Sequence, residues 1–257
     1  MVLSPLTITR LDKVAADNGF DRERPREEGW LAYASTRVPL RIWMTSVGDT
    51  QYYLALSDRA VAAELGNEGE TVAPVSMPAG AVALRAVPGI PALHDLVRRA
   101  FQLSRTLPDA LLRRFELETA TLPRATEAER LAVQRIGQDV FREGLMDYWQ
   151  GRCAITGLAI PELLRASHIK PWAACESDAE RLDVFNGLLL APHLDAAFDS
   201  GFITVTSDGR VQVVSALDAS SRRVLGLDVQ LRVRSLARGH QHYLEYHRAH
   251  VFKGSAA

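Results

Sequence analysis

The sequence predicts an α+β protein built in two parts, and three observations carry that reading. Short strand-like runs rich in aromatics fill the first half, a long helical spacing follows at residues 91–107, and two brief extended runs lead into a short helix between 153 and 205. The chain has 257 residues, enough for one or two ordinary hydrophobic cores.

In the first half, Gly29 to Ala34 (GWLAYA), Leu40 to Thr45 (LRIWMT) and Gln51 to Leu56 (QYYLAL) read as strands, the last two hinged at Gly48-Asp49. Ser57 is placed as the N-cap of a helix running through Leu65 and ended by Gly66-Asn67. Gly80 to Val87 reads as a further strand. From Pro91 to Leu107, the spacing of Leu93, Leu96, Val97, Ala100, Phe101 and Leu103 is helical. These elements make a small mixed α+β domain over residues 1–106. Residues 107–124 read as a partly helical connector ending near Pro123, and residues 125–257 as a second domain.

The second domain holds the polar pattern. Cys153 to Leu158 (CAITGL) is an apolar run turning at Gly157. Leu163 to Trp172 (LLRASHIKPW) meets a break at Pro171, so His168 belongs to the end of an extended piece. Phe185 to Leu190 (FNGLLL) reads as a second strand, with Asn186-Gly187 as its turn signal. Pro192 suits the first turn of a helix carrying His193, Asp195 and Asp199, and the two aspartates at i,i+4 share a face. Ser200-Gly201 stops that helix, and FITVTSDGRVQVVS alternates as a hairpin about Asp208-Gly209. A histidine, an asparagine and a histidine–carboxylate cluster suit one divalent metal and one activated water, which phosphodiester hydrolysis needs.

The ordered segments SHIKPW, NGLLL, HLDAAFD and SGFITV resemble the HNH endonuclease family, in its bacterial restriction-type branch. QRIGQDVFREGLMDYWQGRCAITG upstream and YLEYHRAHVF at the end are similar to the same branch, so the resemblance spans about residues 125–253. It implies a ββα-metal core with flanking helices and a hairpin, and metal-dependent cleavage of DNA. Position by position, His168 matches the general base that deprotonates water; an imidazole of pKa ~6.5 can do so near pH 7. Asn186 matches the residue that braces the loop and orients the base, and in related enzymes binds the metal.

Two departures from the family pattern bear on the metal. Ser167 stands where Asp or His often supplies a first ligand, and it is a weak ligand at best. At the helix start, Asp195 takes the place a histidine often holds, with His193 two residues earlier. Both are carried as candidate ligands. Few protein ligands and many waters suit Mg2+ or Mn2+, with Ni2+, Co2+ and Zn2+ as the other candidates.

Composition sets limits. The net charge is −1, which is not the basic balance common in DNA-binding proteins. Charge is uneven, however: Arg222, Arg223, Arg232, Arg234, Arg238, Arg248 and Lys253 face only Asp218, Asp228 and Glu245 in the last stretch. Arg135, Arg142, Arg152, Lys170 and Arg248 are the candidate nucleic-acid contacts. The histidines between His240 and Phe252 are expected on the solvent side of a helix. Two cysteines without a CxxC pair exclude a zinc knuckle and a disulfide framework, and Cys153 is expected in the core. No signal-peptide pattern or membrane-length apolar run is present, which points to the cytoplasm.

The first domain resembles no family. Trp30, Tyr33, Trp43, Tyr52 and Tyr53 either stack on a target base or fill a small β core, and a dimerisation role is a third reading. The expected function is a restriction- or defence-type DNA endonuclease. A catalytically silent DNA-binding protein of the same fold and a nonspecific or RNA-directed nuclease are the alternatives.

Overall fold

A computed structural model describes residues 3–27, 29–48, 50–66, 76–107 and 109–254. Asp49 and Asn67, invoked above as hinge and helix stop, and Pro108 within the expected connector lie outside the described residues. Two units divide the chain, Met1–Pro108 and Asp109–Ala257.

The first unit begins with a helix that the sequence reading did not anticipate, α1 (Pro5–Asp17), capped by the Ser4 side chain with Pro5 in the first turn. Five strands follow as an antiparallel sheet in sequence order: β1 (Arg22–Glu27), β2 (Trp30–Ala34), β3 (Arg41–Val47), β4 (Gln51–Leu56) and β5 (Ala83–Pro88). Between the last two lies α2 (Arg59–Glu64). Its cap is Asp58, one residue beyond the expected Ser57, because the Asp58 carboxylate accepts from Ala60 and Val61 amides while Ser57 Oγ accepts from Arg41. The long helical spacing is α3 (Gly89–Thr106), which packs on β4 and β5.

The sheet register decides what the aromatics do. Ala32 pairs with Trp43, Trp43 with Ala55, and Tyr53 with Ala86. Alternation therefore puts Trp30, Trp43 and Tyr53 on one face and Tyr33 and Tyr52 on the other. All five are buried, and Tyr33 donates to Asp12 of α1 at 2.7 Å. Rings split between two faces cannot form one cage around a base, so they serve as core in both layers.

In the second unit, the stretch expected as a connector contains α4 (Ala110–Thr119), whose Leu111 and Phe115 are buried against α5 (Glu127–Tyr148). Gly144 lets the two helices close up: a Cβ there would run into the Leu111 side chain. A Thr126–Glu129 capping box starts α5. Its buried positions Val133, Gly137, Val140, Phe141, Gly144, Leu145 and Tyr148 follow helical spacing and face the centre of the unit.

That centre is a two-stranded antiparallel ribbon of β6 (Arg165–His168) and β7 (Gly187–Leu190), with Ser167 opposite Leu188 and His168 opposite Gly187. A loop containing α6 (Asp178–Leu182) joins the strands, and α7 (Pro192–Asp199) follows at once. The ββα arrangement and the mixed α+β class expected from the sequence are both present. Next come the hairpin β8 (Ile203–Val205) and β9 (Val211–Val213), α8 (Ala219–Val224) and α9 (Gln241–His250). Among the described residues no helix is long and apolar enough to cross a membrane.

The histidines of the tail correct an expectation. His242 and His250 are exposed, but His240 and His247 are buried, because α9 turns Tyr243, Leu244 and His247 onto the hairpin and α7. His247 stacks on Phe198 at 3.9 Å, donates from Nε2 to the Phe198 carbonyl and accepts from Thr204 at Nδ1. His240 sits among Tyr148, Trp149 and Phe185; Nδ1 donates to the Ala237 carbonyl and Nε2 has no partner.

Burial lowers the pKa of both His240 and His247 to about 4, against roughly 6.5 in an unfolded chain. Each is neutral when folded, so its contribution to stability is intact above pH ~6.5 and is lost as pH falls toward 4. At pH 5 the loss from each is about 2 kcal/mol relative to neutral pH. His240→Phe keeps a ring in the aromatic cluster and removes one of these protonations. Urea midpoints at pH 7 and pH 5 should then lie closer together than in the wild type; an unchanged gap would contradict this account.

Candidate functional site

The ribbon is short, and its pleat sorts the functional groups. Successive side chains on β6 point to opposite faces. Ser167 turns toward α7, where its hydroxyl donates to Asp199 Oδ1 at 2.9 Å. His168 turns toward α5, where its ring stacks on Phe141 with centroids 3.8 Å apart and planes 16° apart.

On the α7 side, Asp195 and Asp199 lie one helical turn apart, and both engage the Ser167 hydroxyl. Burial holds both carboxyls above the usual aspartate range. Ser167 and then Arg165 partly offset this at Asp195; at Asp199 Ser167 opposes it, while the neighbouring Asp195 charge adds to it. Arg165 lies two residues before Ser167 on β6, and its guanidinium donates to the Glu162 and Leu164 carbonyls. His193 does not join this group. It is exposed, and a two-residue offset on a helix is about 200° of rotation from Asp195. The second carboxylate at the site is Asp199, which the i,i+4 spacing already put on the same face as Asp195.

On the α5 side, Trp172 meets the His168 ring edge-on at 5.4 Å. His168 Nε2 lies 2.9 Å from the Arg181 carbonyl oxygen, which can only accept, so Nε2 carries the proton and Nδ1 the lone pair. Burial lowers the His168 pKa to about 4, with the Arg181 carbonyl opposing the shift. The imidazole is thus neutral at pH 7, with its single N–H fixed and the other nitrogen able to accept a proton.

Asn186 holds the loop between these faces together. It is fully buried; Oδ1 accepts from the Lys170 amide at 2.7 Å, and Nδ2 donates to the carbonyls of Glu180 at 3.0 Å and Lys170 at 3.3 Å. Its backbone carbonyl accepts from Ile169. The amide is consumed by the backbone, which makes Asn186 a brace and leaves the metal-binding option of related enzymes without a free oxygen.

The five basic candidates divide. Arg135 and Arg152 are exposed. Arg142 instead donates to the carbonyls of Leu164 and Pro161, tying α5 to the turn before β6. Arg248 donates to the Val205 carbonyl. Lys170 is buried and pairs with both oxygens of Glu180 at 2.9 and 3.0 Å. These three cations were expected at a nucleic-acid surface, and carbonyls or a carboxylate inside the fold engage them instead. Sequence reading missed Phe141, Glu180 and the Arg181 carbonyl, since nothing in a linear spacing marks a ring stack or a backbone acceptor.

Among the described residues no group of three or more His, Cys, Asp or Glu side chains stands together as a metal cluster. What the structure does assemble is a carboxylate pair with a hydroxyl on one face of a ribbon and a neutral, oriented imidazole one residue further along.

Asn186→Ala would strand the Lys170 amide and two carbonyls in the interior, a cost of about 3 kcal/mol. Hydrogen exchange should then accelerate mainly across residues 169–182; unaltered protection there would show that the loop is held by something else. Residues 153–206 match a family described as HNH endonuclease. No curated protein matches the chain.

Proposed function

We propose that the chain, whose residues 153–206 match the HNH endonuclease family, is a metal-dependent DNA endonuclease of restriction or defence type. The observation that carries the reading is the ββα unit itself, with His168 oriented on the α5 face of β6 and the Ser167–Asp195–Asp199 group on its α7 face.

The donor set fits a hard divalent cation. Two carboxylates and a hydroxyl offer only oxygen, and the Asp195 charge raises the cost of charge on its neighbour Asp199. Asp195, Asp199 and Ser167 would hold the ion and leave its remaining positions to water, which suits Mg2+ or Mn2+ better than zinc. When bound, such an ion supplies Lewis-acid stabilisation of the charge on the phosphate and the leaving oxygen.

The chain's own groups do the rest. His168 Nδ1 takes a proton from the attacking water as its oxygen bonds to phosphorus, and the Arg181 carbonyl keeps the ring in the tautomer that allows this. The bond from phosphorus to the 3′ oxygen breaks, and that oxygen leaves as a hydroxyl after gaining a proton. The products carry 5′-phosphate and 3′-hydroxyl ends. The exposed Arg135 and Arg152 suit flanking phosphates. On this reading the first unit selects or positions the target.

Cleavage of plasmid and phage DNA, modified and unmodified, with Mg2+, Mn2+ or EDTA tests the proposal against His168→Ala. The wild type should cut only with metal, and the variant should lose at least about 100-fold in rate while still binding DNA and Mn2+. Normal cleavage by the variant would remove His168 from the role of base. Absence of cutting under every condition would favour a DNA-binding protein that keeps the fold without catalysis.

A further inference from the structure

We propose that the Lys170–Glu180 ion pair is a positioning device for His168: it locks the 169–182 loop so that the Arg181 carbonyl holds the imidazole in its Nε2–H form. The inference rests on the reading of His168 as the base.

Lys170 and Glu180 stand ten residues apart, the lysine at the start of the connection between β6 and β7 and the glutamate in its helix α6. The lysine Nζ reaches both carboxylate oxygens at 2.9 and 3.0 Å, with side chains only 11% and 30% exposed. The same carboxylate accepts from the Glu176 amide at 2.8 Å, so it ties Lys170, Glu176 and α6 together at one point. Asn186 repeats the closure in the backbone, since its amide bonds the Lys170 N–H and the Glu180 carbonyl together.

The lever from this closure to the imidazole is one peptide long. Arg181 follows Glu180 directly, and its carbonyl oxygen is the one that receives His168 Nε2–H. The Arg181 side chain adds a second tether, donating to the Cys175 carbonyl at 2.7 Å and to Asp178 at 2.9 Å. A hydrogen bond of this kind weakens steeply with misalignment. If the Glu180 end of the loop swings, the carbonyl loses its aim and the two neutral tautomers of His168 compete.

Lys170 is poorly suited to the alternative task of gripping a phosphate. Its charge is already matched by Glu180, and the Tyr246 ring covers the ammonium at 5.3 Å. Reaching a polyanion would mean breaking a charge-assisted, largely enclosed pair. The pair therefore serves geometry.

Nitrogen-15 NMR of the imidazole of His168 in the full chain reads the tautomer directly, whether or not the protein cuts DNA. Wild type should show the proton on Nε2 alone. Lys170→Met and Glu180→Gln should each give a mixed population, and Lys170→Arg should restore the wild-type pattern. In Mn2+-dependent cleavage, Lys170→Met should lower kcat by about 10- to 100-fold and change KM for DNA by less than about twofold. Circular dichroism reports folding, and if Lys170→Met fails to fold, Glu180→Gln is judged by the same criteria. A proton on Nδ1 in the wild type, or a wild-type tautomer in the folded variants, overturns the proposal. So does a raised KM with unchanged kcat and a shallower salt dependence of binding, which is the signature of a phosphate contact. If no substrate is cut by any form, the nuclease reading falls, and the tautomer spectra alone then uphold or overturn the positioning role.

Discussion

A pair of four-residue strands is too small to be stable by itself in water, and everything at the candidate site depends on how β6 and β7 are nevertheless held. The solution is to cover the ribbon on both faces. Helix α5 brings Phe141 and Leu145 against one side, close enough that a Cβ at Gly187 would sit 2.6–2.7 Å from both side chains. Helix α7 starts two residues after β7 and covers the other. The pleat then does the sorting, because neighbours on a strand point opposite ways: Ser167 meets the acidic helix and His168 meets the aromatic one.

The two faces differ in electrostatic character for the same structural reason. Burial against Phe141 and Trp172 keeps His168 neutral. On the opposite face, desolvation raises the Asp195 and Asp199 carboxyls, and the Asp195 charge adds to the effect at Asp199. A fold selected only for stability would pair or remove such charges. Elsewhere in the unit, cations are paired or capped as expected, with Lys170 on Glu180 and Arg142 on two carbonyls. Asp195 and Asp199 stand within the segment that matches the HNH family.

Local patterns in the sequence were enough to anticipate the ribbon, the following helix, the terminal hairpin, four of the five strands of the first unit and α3. Asn186-Gly187 and Asp208-Gly209 are signals that act within a few residues. The relation of Asp195 to Asp199 was visible as i,i+4, although His193 drew attention as a metal-loving residue type on the wrong side of the helix. What stayed hidden depends on closure over longer separations. Lys170 finds Glu180 only because a loop folds back, and Arg142 finds its two carbonyls only when α5 lies along the turn at Pro161–Leu164. His240 and His247 looked solvent-facing because histidine is polar, and the aromatic surroundings that bury them come from α5, α7 and the 184–186 turn. Helix α1 carries its own local start signal, the N-cap Ser4 followed by Pro5.

The central claim is that Asp195, Asp199 and Ser167 hold a divalent cation. Titration of the full chain with Mn2+, followed by electron paramagnetic resonance, tests it most directly when wild type is set beside the double variant Asp195→Asn, Asp199→Asn. The account predicts saturable Mn2+ binding in the wild type, competed by Mg2+, and its loss in a double variant that remains folded. Equal binding by the two proteins, or none by the wild type, would contradict it.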